Sequence, residues 1–271
     1  MMKPGLKSDT QTVISMFLKH HLELAGAKGV VVGMSGGLDS SVVAKLAVDA
    51  LGPEKVLGVL MPEKSTPDGA MEDAREMAQE WGIEVLEYDI RPMVESFSQV
   101  LETEDRGSQG NIKSRCRMMI LYDLARERSL LVLGTSNKSE LLTGYFTKWG
   151  DGAADLCPIG DLYKTQVRRL AGRIGVPEKV IEKPPSGDLW EGQTDEEELR
   201  IDYETLDRIL MGIELGMTDV DIIKSAEAPP GQVRHVRMLV AKSVHKRRLG
   251  LIPKLGARTV GQDWRESSIH H

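Results

Sequence analysis

Residues 29–41, GVVVGMSGGLDSS, set an apolar run, a glycine pair between serines and an aspartate in direct succession. Gly36 and Gly37 carry no side chain, so the backbone can turn sharply and aim several N–H groups at one point. Those donors, the hydroxyls of Ser35, Ser40 and Ser41, and the positive end of a following helix all favour an anion, and phosphate is the natural guest. The stretch fits neither GxxxxGK[ST] nor GxGxxG, which excludes the lysine-bearing phosphate loop and the dinucleotide fingerprint here. Instead it places Asp39 inside the turn. A carboxylate beside a polyphosphate is repulsive unless a cation lies between them, so Asp39 implies Mg²⁺.

Such a turn needs a rigid frame. Short valine- and leucine-rich runs predict strands at 29–34, 55–61, 83–88 and 130–134, and longer periodic segments predict helices at 10–25, 40–51, 67–81, 91–102 and 109–128. Strands separated by helices need crossover connections, so the expected fold is α/β, a parallel sheet with helices on both faces. Ligands of such sheets bind at the carboxyl ends of the strands, where the glycine turn lies. Beyond residue 150 the strand signal fades, and helices are expected at 161–175, 194–216 and 229–248, giving a mostly helical C-terminal part. The loops at 103–110, 143–160 and 183–193 are rich in Gly, Pro, Ser, Asp and Lys, as connectors or substrate-covering segments are.

A chain of 271 residues with a net charge of −6 does not look built to grip nucleic acid, although basic residues gather at 234–248. No apolar run is long enough to span a membrane, and the N-terminus lacks the apolar core of a signal peptide, which points to the cytoplasm. Cys116 and Cys157 stand far apart without metal or redox spacing and read as reduced thiols. The ending SSIHH reads as an unstructured tail.

SGGLDS resembles the pyrophosphate-binding loop of the N-type ATP pyrophosphatases, which adenylate a substrate and let a nitrogen or sulfur nucleophile displace AMP. Residues 133–166 (LGTSNKSELLTGYFTKWGDGAADLCPIGDLYKTQ), 115–126 (RCRMMILYDLAR) and 183–207 (KPPSGDLWEGQTDEEELRIDYETLD) are similar to NAD synthetases in particular. The resemblance runs from about residue 10 to about 265, in the expected block order. It implies an adenine nucleotide alpha hydrolase-like fold, one synthetase domain over 1–271, and a homodimer. The implied reaction converts nicotinate adenine dinucleotide (deamido-NAD), ATP and ammonia into NAD, AMP and pyrophosphate through an adenylated carboxylate.

By this resemblance Gly33, Met34, Ser35, Gly36, Gly37, Leu38, Asp39 and Ser40 hold the ATP phosphates, with Thr135, Lys164 and Ser186 as further ATP contacts. Asp39 and Glu140 are the implied Mg²⁺ ligands. Arg115, Lys148, Asp155, His245 and Lys246 match positions that hold deamido-NAD, and Asp151 is the expected base that frees ammonia from ammonium. Plainer readings stand beside these: a solvated helix-start glutamate for Glu140, surface charge for Lys164, a loop-turn aspartate for Asp151, and a basic helix end for His245 and Lys246. A glutaminase would need roughly 200 further residues at ordinary domain sizes. Neither cysteine context suggests an amidase nucleophile, so ammonia is the expected direct donor unless a separate glutaminase subunit docks on this chain. The rivals are another adenylating enzyme, such as GMP synthetase or a tRNA-modifying member, and a non-catalytic nucleotide-binding module.

Overall fold

The computed structural model describes residues 2–190 and 192–264. The SSIHH ending therefore lies outside the described residues. In chain order the elements are α1 (Thr10–Ala25), β1 (Gly29–Gly33), α2 (Leu38–Leu51), β2 (Val56–Leu60), α3 (Asp68–Trp81), β3 (Glu84–Glu87), α4 (Arg91–Leu101), α5 (Arg106–Arg128), β4 (Leu130–Leu133) and α6 (Lys138–Thr143). They continue as α7 (Lys164–Ile174), α8 (Glu178–Ile181), α9 (Asp195–Leu199), α10 (Tyr203–Glu214), α11 (Asp219–Ala226) and α12 (Pro230–Lys242).

All strand pairs are parallel, in the order β3-β2-β1-β4. β1 and β2 are valine- and leucine-rich because both their faces are covered. One face packs against α1, α2, α3 and α7, and the other against α4 and α5. β3 forms an edge whose exposed Glu84 and Glu87 pair with Arg128 and Arg75 at 2.6 and 2.8 Å. After β1 the chain builds outward through β2 and β3, then returns to place β4 on the other side of β1. That reversal opens a crevice at the carboxyl ends of β1 and β4, the place such sheets use for ligands.

The C-terminal helices differ in detail from the expectation. The helix expected over 194–216 breaks at Arg200, whose φ of 56° is left-handed, and restarts as α10 with Asp202 accepting from the Thr205 N–H. The helix expected over 229–248 stops at Lys242 and continues as a 3-10 turn at Val244–Arg247. α5 begins earlier than expected, at Arg106, because Asp105 Oδ2 caps it by accepting from Ser108 N at 2.7 Å. α10, α11 and α12 form a second apolar core around Leu206, Ile209, Leu210, Ile222 and Val233, and Tyr145 and Tyr163 pack against or within it.

Candidate active site

A cavity of ≈ 770 Å³ opens at the crevice and is lined by every residue from Gly33 to Ser40, together with Thr135, Glu140, Asp151, Lys164, Ser186 and Lys246. At its floor the β1–α2 turn is internally braced. Ser35 Oγ lies 3.0 Å from Ser40 Oγ and accepts from Gly37 N, while Ser40 and Ser41 donate to the Gly37 carbonyl. Gly36 has φ 75°, and a Cβ there would sit 1.9 Å from the Ala70 carbonyl oxygen, so both conformation and space demand glycine.

Beside this turn Asp39 opens α2 and Glu140 lies in the first turn of α6, with Lys164 at the start of α7. Lys164 Nζ is 2.5 Å from Asp39 Oδ2 and 3.5 Å from Glu140 Oε1. The surface-charge reading of Lys164 fails, since the side chain is buried, with its ammonium 5.3 Å from the Tyr203 ring centroid. Burial opposes its charge, but Asp39 and Glu140 hold its pKa above the usual lysine range. Glu140 is not a solvated helix-start residue either. Burial and the Asp39 carboxylate push its pKa well above the usual carboxylate range, against the pull of Lys164.

Burial and the Asp39 charge disfavour a second negative charge at Glu140, a cost that a cation set between the two carboxyl groups would remove. Hard oxygen donors beside the β1–α2 turn suit Mg²⁺, which takes one or two carboxylates and completes its shell with other oxygen ligands. Among the described residues no group of three or more His, Cys, Asp or Glu is arranged to hold a metal.

Three residues missing from the sequence reading organise this corner. Asn137, fully buried, accepts from Glu140 N at 3.1 Å and donates from Nδ2 to Glu140 Oε1 at 2.7 Å. The Asn-x-x-Glu spacing of a capping box is the signal that could have found it. Asp207 of α10, also fully buried, accepts from Ser139 Oγ at 2.5 Å and Thr165 N at 2.8 Å, and Ser139 Oγ in turn accepts from Lys164 N. The relay ties the starts of α6 and α7 together, and burial pushes the Asp207 carboxyl up to about 6. Asp195 lines the cavity and accepts from Tyr203 OH at 3.1 Å; burial raises its pKa as well. No local pattern marks these last two aspartates.

Residues 183–190 line the cavity and are pinned to the body. Lys113 reaches the Leu189 carbonyl at 2.7 Å and Glu63 at 2.8 Å, Ser65 Oγ donates to the Asp188 carbonyl, and Lys183 binds Asp73 at 2.5 Å and the Gly36 carbonyl at 3.2 Å. Ser186 is on this loop and accepts from Asp188 N.

At the far end Asp151 Oδ1 accepts from Ser114 Oγ at 2.6 Å and from Thr147 N at 3.0 Å, so it does tie its own loop while facing the cavity. Lys246 Nζ donates to the Gly144 and Phe146 carbonyls. Arg115, Lys148 and His245 do not line the cavity but form a chain of contacts: Arg115 donates to the Lys148 carbonyl, and Lys148 Nζ to the His245 carbonyl at 2.8 Å. Asp155 stands apart from them, with Oδ2 accepting from Val132 N of β4 at 2.8 Å.

The sequence model of the NAD synthase family matches residues 10–250. The NH(3)-dependent NAD(+) synthetase of Methanocaldococcus jannaschii is 50% identical over 246 residues, 89% of this chain and 95% of that protein. That of Pyrococcus horikoshii is 50% identical over 255 residues, 93% and 98% of the two chains. Among solved structures, the NMN synthetase of Francisella tularensis superposes with a TM-score of 0.81 at 33% identity, covering 91% of this chain and 98% of its own. The NH3-dependent NAD synthetase of Campylobacter jejuni gives 0.78 at 29% identity with the same coverage. The parallel sheet and its flanking helices are the adenine nucleotide alpha hydrolase-like fold of these neighbours. Sequence and architecture agree that this chain belongs to the NAD synthase family.

Proposed function

We propose that this protein amidates deamido-NAD with ammonia at the expense of ATP, releasing NAD, AMP and pyrophosphate in the last step of NAD biosynthesis. Family membership over most of the chain supports the reaction. The observation that carries the site-level reading is the buried Asp39–Lys164–Glu140 cluster beside a braced phosphate turn.

A carboxylate resists attack by an amine because its leaving group would be oxide, and transfer of AMP onto it supplies a better one. In this reading Gly33 to Ser40, Thr135 and Ser186 hold the triphosphate. Lys164 places a fixed ammonium where charge develops on the departing pyrophosphate. Mg²⁺, held by Asp39 and Glu140, would add positive charge against the same phosphate oxygens. Asp151 takes the proton from ammonium, its carboxylate kept in place by Ser114 and the Thr147 N–H. Arg115, Lys148, His245 and Lys246 supply the cations that the dinucleotide's phosphates and carboxylate call for, and Asp155 completes the set that holds it. The catalytic unit spans residues 1–271.

The protein acts in the cytoplasm as a homodimer. Exposed Phe97, Val100 and Leu101 on α4 support the pairing, and no helix among the described residues is long and apolar enough to cross a membrane. Sedimentation tests the dimer, and a species of monomer mass at assay concentration would refute it.

The reaction is tested by incubating the protein with ATP, Mg²⁺, deamido-NAD and ammonium and measuring NAD and AMP. Parallel tubes replace ammonium by glutamine and deamido-NAD by nicotinate mononucleotide. Equal NAD and AMP, little product from glutamine and little from the mononucleotide are expected. Faster turnover of the mononucleotide would reassign the acceptor.

A further inference from the structure

Arg117 is a cation in the cavity with almost none of its binding capacity used. Its only hydrogen bond among the described residues runs from Nε to the Met61 carbonyl at 3.3 Å, and it makes no ion pair. A guanidinium has five N–H donors in a planar fork and does not give up its proton in proteins. Its carboxylate neighbours do not close on it: Glu63 is engaged by Lys113 at 2.8 Å, and Asp151 by Ser114. Burial disfavours the charge and pulls its pKa down, while Glu63, Asp151 and Asp188 act on it from beyond contact distance. A partly buried, unspent fork of this kind suits an anion with two coplanar oxygens.

The position of Arg117 selects the anion. Ser114, Arg117, Met118 and Leu121 share one face of α5, at spacings of three, four and seven, and all line the cavity. Ser114 holds Asp151, so Arg117 sits one helical turn from the residue that anchors the aspartate proposed to free ammonia. The triphosphate has the β1–α2 turn and Lys164 to serve it. The carboxylate that ammonia converts must instead come near Asp151, whose negative charge would repel it without a cation alongside.

We propose that Arg117 receives the carboxylate of the acceptor substrate and thereby distinguishes acid from amide, an inference that rests on the synthetase reading above. The acid gains a bidentate ion pair, whereas the neutral carboxamide product does not. The same side chain thus orients the substrate and weakens retention of the product.

The test is calorimetric titration of deamido-NAD and of NAD into wild type, Arg117→Met and Arg117→Lys, each with Mg²⁺ and α,β-methylene ATP. The two dinucleotides share every phosphate and differ at the group in question. Wild type should bind the acid more tightly than the amide. Arg117→Met should weaken the acid about 10- to 100-fold, the scale of charge-assisted hydrogen bonds, and leave NAD and the ATP analogue within about 2-fold. Arg117→Lys, which keeps the charge but loses the fork, should fall between, and it carries the comparison where the Met variant fails to fold. Equal weakening of both dinucleotides would overturn the proposal in favour of a phosphate contact, as would weakening of the ATP analogue alone. Wild type that binds neither dinucleotide would instead overturn the synthetase reading itself.

Discussion

Asp207 supplies a stability prediction whose sign and size both follow from its surroundings. It is fully buried, it accepts from Ser139 and Thr165, and the Glu204 carboxylate adds to the cost of ionising it. Burial is the largest cause and lifts its pKa from the ordinary 3.8 to about 6. The folded state therefore binds this proton more tightly than the unfolded state does. Its contribution to stability is largest below pH 4 and is lost as pH rises through about 6. Between pH 8 and pH 5 the linkage amounts to about 1.4 kcal/mol in favour of the acid side. Asp207→Asn removes the titration and also reverses one hydrogen bond, because an amide N–H₂ must face a donor that the carboxylate accepted. Denaturant melts of wild type and variant at pH 8, 7, 6 and 5, without substrates, isolate the titration as the change in their difference. The wild-type advantage should widen by about 1.4 kcal/mol toward pH 5, roughly 3 °C in Tm for a chain of this size. A gap that stays constant or narrows on acidification would refute the account of a costly buried charge.

Other expectations are simpler. Gly36→Ala forces a left-handed residue, costing about 1–2 kcal/mol, and drives a Cβ into the Ala70 carbonyl, so ATP-analogue binding should weaken at least about 10-fold; wild-type affinity would count against the braced turn. Asp39→Asn should lower kcat/KM on the order of 100-fold and move the Mg²⁺ titration of activity to higher concentration, and an unshifted Mg²⁺ profile would remove Asp39 from the metal. Asp155→Ala strips β4 of the acceptor for Val132 N and should cost about 1–3 kcal/mol of stability, read as a lowered Tm that an unchanged melting curve would contradict.

The frame and the glycine turn were legible because both are local. Four short apolar runs separated by periodic segments specify a parallel sheet, and at 33–40 the turn is shaped mainly by the backbone, so glycines, serines and one aspartate in order disclose its geometry. Lys164 shows where locality ends. In sequence it opens an ordinary basic helix, yet in the fold it is buried because Tyr203 and Asp207, about 40 residues later, close over it and its neighbours. The break at Arg200 that lets α9 and α10 bring Asp195 and Asp207 to the site uses a left-handed non-glycine residue, for which residue type gives no signal. Arg115 and Arg117 make the same point within one helix. They are two residues apart in a basic segment, but about 200° of helical rotation puts one outside the cavity and the other in its lining. Charge type is written in the sequence, whereas the cost of that charge is set by burial. The side chains that tune this site therefore emerge only when distant helices are packed, and the most informative of them are those whose charge the protein itself leaves unanswered.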